Sequence, residues 1–114
     1  MFGLNGQQRF FVCDQPADMR KGFDGLSGLV TNYMGGALTS GDAFIFLGKR
    51  LDRLKILVWE PTGFMLYYKR LESGTFHLPK GQGASIHLSY SEFCLLIEGL
   101  EVQVTRRRKR FGSS

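Results

Sequence analysis

The stretch Ala43-Phe44-Ile45-Phe46-Leu47-Gly48-Lys49-Arg50-Leu51-Asp52-Arg53-Leu54-Lys55-Ile56-Leu57-Val58-Trp59-Glu60 decides the fold. Ala43 to Leu47 is continuously apolar and suits a strand covered on both sides, while Gly48 to Asp52 has the length of a hairpin loop. In the partner strand, Arg53 to Glu60, side-chain alternation sends Leu54, Ile56 and Val58 one way and Arg53, Lys55, Leu57 and Trp59 the other. Both basic residues therefore share a face. Pro61, Thr62 and Gly63 supply a turn, Phe64 to Leu71 a third strand, Glu72 to Gly74 another turn, and Thr75 to Leu78 a short fourth strand closed by Pro79.

Working outward, residues 1–8 read as a loose N-terminus, followed by a strand at Phe10 to Cys13 that Asp14 and Pro16 end. A helix is expected from Asp18 as its cap, with Met19, Phe23, Leu26, Leu29, Val30, Tyr33 and Met34 on one face and Gly35-Gly36 as its stop. Arg20 and Asp24 on a second face would form a pair worth a few tenths of a kcal/mol. Gly22, Gly25 and Gly28 inside this helix cost roughly 1 kcal/mol each relative to alanine, so something should compensate. Close packing of another backbone is the favoured compensation; the alternative is an irregular first turn with the helix starting later. On the C-terminal side a brief extended Ile86 to Leu88 leads into Ser89-x-x-Glu92, a capping box, with Leu88 and Phe93 as its hydrophobic staple. That second helix buries Phe93, Leu96, Ile97 and Leu100 and ends at Gly99. The fold class is α+β: a mostly antiparallel meander of four to five strands, with both helices packed on it to cover one face.

A chain of 114 residues accommodates one modest core, assigned here to a single domain over residues 9–105. With 43% hydrophobic and 22% charged residues, neither wholesale disorder nor a membrane protein is indicated. No apolar run approaches the roughly 20 residues of a spanning helix, and no apolar signal stretch follows Met1, so a cytoplasmic protein with reduced thiols is expected. Cys13 and Cys94 lack the paired spacing of zinc or redox sites and read as small hydrophobes. The net charge of +5 equals the five charges of Arg106, Arg107, Arg108, Lys109 and Arg110, which leaves a formally neutral body. Residues 106–114 are thus read as a basic, flexible arm for anionic partners.

Chemistry-bearing constellations are sparse. His77 and His87 have no carboxylate or thiolate at catalytic or metal-ligand spacing, and neither a Gly-x-Ser-x-Gly turn nor a phosphate loop occurs. Asp18, Asp24, Asp52 and Glu60 read as ion-pair partners rather than a two-metal set. No catalytic residue, metal or cofactor is therefore assigned. The basic residues carry more. Lys49, Arg50, Arg53 and Lys55 surround one hairpin, and Lys69 and Arg70 end the adjacent strand at the same end of a meander. Six charges gathered there would suit phosphates, with Trp59, Tyr67 and Tyr68 available for base stacking if they reach the open face.

Three segments carry a resemblance. Asp18-Met19-Arg20-Lys21-Gly22-Phe23-Asp24-Gly25-Leu26 resembles the signature of the accessory proteins (TnpB type) encoded beside the transposase in bacterial mobile elements of the insertion sequence 66 family. Phe46 to Trp59 is similar to that family's pattern of Phe, Gly, basic pair, Asp52-Arg53, Lys55 and Trp59, which Lys69-Arg70-Leu71-Glu72 and Phe76 extend. The capped helix ending Leu95-Leu96-Ile97-Glu98-Gly99, followed by a basic end, completes it. A tryptophan common near the family's C-terminal arm is replaced here by Val102 to Val104 and the basic run. The resemblance implies a non-catalytic accessory protein of transposition, partnered by the transposase of the same element and by DNA; homo-oligomerisation is left open. A rival reading is a protein-interaction module that docks on the transposase through Gly22, Gly25 and Gly28 or a sheet edge, without binding DNA.

Overall fold

The computed structural model describes residues 4–104. Five strands form one sheet: β1 (Phe10–Cys13), β2 (Ala43–Leu47), β3 (Arg53–Glu60), β4 (Gly63–Arg70) and β5 (Ser85–Leu88). Their order across the sheet is β4-β3-β2-β1-β5. Every pairing is antiparallel except β1 with β2. The meander is confined to β2, β3 and β4; β5 returns from the far end of the chain to pair with β1, Phe10 opposite Leu88. No strand forms at Thr75–Leu78, where alternation predicted one. That segment instead inserts Phe76, fully buried, and ties its amide to the Leu51 carbonyl at 2.6 Å.

The helices cover opposite faces rather than the one face expected. On one side α2 (Tyr90–Ile97) joins Phe10, Val12, Ile45, Leu47, Leu54, Ile56 and Val58 in a core that Phe76 and Val102 close. On the other, α1 (Phe23–Leu29) and its continuation pack Leu26, Val30 and Met34 against Cys13, Phe44, Phe46 and Leu57. Both covers rest on β2, which is why all five of its residues are buried and why its sequence does not alternate. Phe10 and Phe93 stack at 4.2 Å between ring centroids, anchoring α2 to β1.

Local signals predicted both ends of α2, although Leu100, expected to be buried with Phe93 and Leu96, is 52% exposed beyond the Gly99 stop. Ser89 accepts from the Glu92 amide at 3.1 Å and the Glu92 side chain accepts from the Ser89 amide at 2.7 Å, completing the capping box. At the other end Gly99, with φ +77°, donates to the Leu96 carbonyl and Leu100 donates to that of Leu95, a Schellman closure.

The start of α1 differs from expectation. Asp18 does not cap it; the helix begins at Phe23 after Gly22, passes through a π-helical turn at Val30–Met34 and stops at Gly35 with φ +72°. The favoured close packing of another backbone on the three glycines does not occur: a Cβ on Gly22 would meet nothing within 4 Å, one on Gly28 only the Asn32 amide at 3.9 Å, and one on Gly25 the Lys21 side chain, with Cγ at 2.9 Å. The irregular first turn is what occurs, so Gly22 sits outside the helix and incurs no interior penalty there. Residues 4–8, expected to be loose, form a hydrogen-bonded turn with Leu4 buried in the α2-side core.

Candidate nucleic-acid interface

The segment before α1 and the β2–β3 loop lie side by side at one end of the sheet. Ala17 bridges Gly48 in parallel fashion and donates its amide to the Leu47 carbonyl at 2.8 Å. A Cβ on Gly48 would lie 2.7 Å from Met19 Cγ, so the absence of a side chain there is what lets Met19 close the two segments together. Between them runs an open groove of about 550 Å³ lined by Pro16–Arg20, Gly48–Arg50, Asp52 and Arg53.

The groove's charge is basic. Arg20, Lys49, Arg50 and Arg53 line it against Asp18 and Asp52. Asp18 is largely satisfied by Arg20, whose Nε and Nη2 donate at 3.0 and 2.7 Å and whose amide donates at 2.9 Å. Those hydrogen bonds hold the Asp18 carboxyl well below the usual carboxylate range, so it stays ionised throughout the physiological range. This pair replaces the expected Arg20–Asp24 pair. Lys49 and Arg50 are exposed at the loop tip. Within the loop Leu51 adopts φ +62°, a conformation disfavoured for a γ-branched side chain, and is pinned there by Phe76.

A second depression of about 200 Å³, lined by Arg53, Tyr68 and Arg70, adjoins the groove through Arg53. Arg53 and Arg70 are direct cross-strand partners, which confirms that the start of β3 and the end of β4 meet. Like charges set opposite each other are destabilising, and no acidic side chain lines this depression to relieve them.

The six predicted charges do not form one patch. Lys55 is 7% exposed; its ammonium donates to the carbonyls of Met19 at 2.7 Å and Lys21 at 2.8 Å, and it sits 4.7 Å from the centre of the Tyr68 ring. Lys69, next in sequence to Arg70, faces the other side of the sheet and donates to the Ile97 carbonyl at 2.6 Å, where it complements the C-terminal end of α2. Both lysines therefore serve the fold, and Lys49, Arg50, Arg53 and Arg70 remain for a ligand. Of the aromatics, Tyr67 lies on the α2 side, and Trp59 is half-buried about 20 Å along β3 from Arg53. Tyr68 alone of the three joins the basic end. Arg20 was missed as a groove residue because a helix was expected to start at Asp18. The run Arg106–Arg110 lies outside the described residues.

Among the described residues, no group of three or more His, Cys, Asp or Glu side chains is placed to hold a metal ion, and no helix is long and apolar enough to cross a membrane. His77 and His87 are exposed, and His87 stacks on Phe11 with 5.0 Å between ring centroids. Cys13 is buried, which pushes its thiol up.

Two proteins of Sinorhizobium fredii (strain NBRC 101917 / NGR234) are similar along most of their length. The uncharacterized protein y4jC is 38% identical over 108 residues, covering 95% of this chain and 92% of that protein. The uncharacterized protein y4hO is 29% identical over 93 residues, covering 82% and 81%. No solved structure matches the chain. A family model described as IS66 Orf2 like protein matches residues 8–107, which span the signature loop, the basic groove and both helices. The chain belongs to this family, and with it to the accessory proteins associated with transposition of insertion sequences.

Proposed function

We propose that the chain assists transposition by binding DNA phosphates along the groove between Pro16–Arg20 and Gly48–Arg53, beside the transposase of the same element and without catalysing strand chemistry itself. The observation that carries this reading is the convergence of Arg20, Lys49, Arg50, Arg53 and Arg70 at one end of the sheet, where, among the described residues, the acidic groove lining is Asp18 and Asp52. Cations gathered on a hairpin loop and strand ends suit a phosphate backbone without the need for base contacts. The run Arg106–Arg110 would add sequence-independent affinity in the bacterial cytoplasm. The test is titration of element-end duplex DNA with the Lys49→Gln, Arg50→Gln double variant at several salt concentrations. Affinity should fall across all sequences while the fold stays intact; unchanged affinity in a folded variant overturns the reading.

A second reading, docking on the transposase without DNA contact, draws on α1. Gly22 and Gly28 leave its surface open, and Phe23 and Tyr33 are 46% and 42% exposed. Pull-down of purified transposase with and without element-end DNA separates the two: docking persists without DNA and at high salt, whereas DNA-bridged association does not.

A further inference from the structure

The phosphate reading leaves Tyr68 without a role. On that reading as its basis, we propose that Tyr68 stacks on an unpaired base, so that this end of the sheet takes single-stranded DNA in preference to duplex.

The ring is positioned by alternation. Position 68 on β4 sits opposite Lys55 on β3 and therefore projects to the α1 side, in line with Arg53 and Arg70. The α1-side core includes Leu66 but not Tyr68, a residue that is 54% exposed. Two contacts nonetheless fix it. The buried Lys55 ammonium lies 4.7 Å from the ring centre, a cation–π contact, and Arg53 Nη1 donates to the hydroxyl at 3.3 Å. An aromatic ring already held by a cation beneath it and an arginine at its rim loses little freedom when a ligand lands on it. Shielding Lys55 explains one face of the ring. It does not account for the shallow depression above, bounded by Arg53, Tyr68 and Arg70.

A duplex offers base edges and phosphates but keeps its base faces stacked internally, so an exposed ring on an open sheet gains nothing from it. An unpaired nucleotide offers both a face for Tyr68 and a phosphate for Arg53 and Arg70, which sit opposite each other one same-face position along from the ring. That combination of a stacking platform with adjacent cations is how sequence-tolerant single-strand binders work. Arg53 and Arg70 are direct partners across one strand pairing, which brings two cations to the same end of the sheet beside the ring.

The experiment uses the full chain and three probes: a short oligodeoxythymidine, the same strand with its bases replaced by abasic sites, and a duplex carrying the same number of phosphates. The intact strand should bind more tightly than the duplex, and removal of the bases should weaken it by about five- to a hundredfold. Tyr68→Leu should lose that difference, and Tyr68→Phe should keep it. Contacts to phosphate alone contribute equally to the intact and abasic strands, so their ratio isolates stacking even if Tyr68→Leu fails to fold. Equal binding of the two strands overturns the stacking proposal and leaves the phosphate reading standing; failure of all three probes to bind overturns both.

Discussion

The ammonium of Lys55 on β3 donates a hydrogen bond to the Met19 carbonyl at 2.7 Å, tying the middle of the sheet to the segment that precedes α1. A second bond to the Lys21 carbonyl turns both peptide groups toward the sheet, so the residues from Asp18 to Gly22 stay out of the helix. The first two of the three stretches that resemble the family are thus one physical unit, each supplying half of a lock.

Lys55→Met should therefore cost stability rather than DNA affinity at constant fold. The substitution leaves two carbonyls facing an apolar surface without their charged donor, a loss of about 2 to 4 kcal/mol by the usual cost of unpaired buried groups. Urea denaturation monitored at Trp59 reads it directly. A stable Lys55→Met protein with weakened DNA binding would return this lysine to the phosphate set.

Met19 and Gly48 form the other half of the lock. Gly48→Ala places a methyl group 2.7 Å from Met19 Cγ, which lies near the backbone and cannot move aside cheaply. A loss of about 1 to 3 kcal/mol is expected. Adding Met19→Ala should recover part of it, giving a coupling of at least about 0.5 kcal/mol in a double-mutant cycle. Strict additivity would show that the clash is relieved elsewhere.

These long-range ties mark where sequence reasoning ran short. The capping box at Ser89, the Gly99 stop and the doubly covered β2 were legible because neighbours in sequence write those signals. The false start at Asp18 was not, since its decisive partner lies 36 residues away from Met19 on another strand. The pairing of β5 with β1 is likewise non-local. The helices cover opposite faces because the chain crosses one side between β1 and β2 and reaches the other only after β5. The sorting of Lys69 from Arg70 was available: adjacent strand residues point to opposite faces, so both could not join one patch. The burial of Lys55 was available only in part, because its strand face also carries the buried Leu57.

Lys49 and Arg50 are the cleanest test of the groove. Both are exposed at the loop tip, and among the described residues neither makes a side-chain hydrogen bond or ion pair of the kind that fixes Lys55 and Lys69. The Lys49→Gln, Arg50→Gln variant should unfold within about 0.5 kcal/mol of the parent. Loss of two phosphate contacts should lower the log-log salt slope of duplex binding by about 1.8. A slope that does not change places the phosphate contacts elsewhere on the chain.

Truncation after Thr105 should separate the contribution of the basic run from that of the body. The last described residues still belong to the core: Val102 is 7% exposed, and Val104 packs against the same cluster. A chain ending at Thr105 keeps both, so its unfolding midpoint should match that of the full protein. Ending it at Glu101 removes Val102 from a buried site and should cost about 1.5 to 3 kcal/mol. DNA affinity should respond in the opposite pattern. Removing Arg106 to Arg110 deletes up to five phosphate contacts and should lower the salt slope by at most about four to five, with sequence-independent binding suffering most. The groove cations remain in the shortened chain, so a residual slope should persist and should fall further when Lys49 and Arg50 are also replaced. Salt titration of the Thr105 truncation, alone and combined with that double substitution, measures each share. A truncated protein that unfolds, or one whose residual binding ignores Lys49 and Arg50, would overturn the division between run and groove.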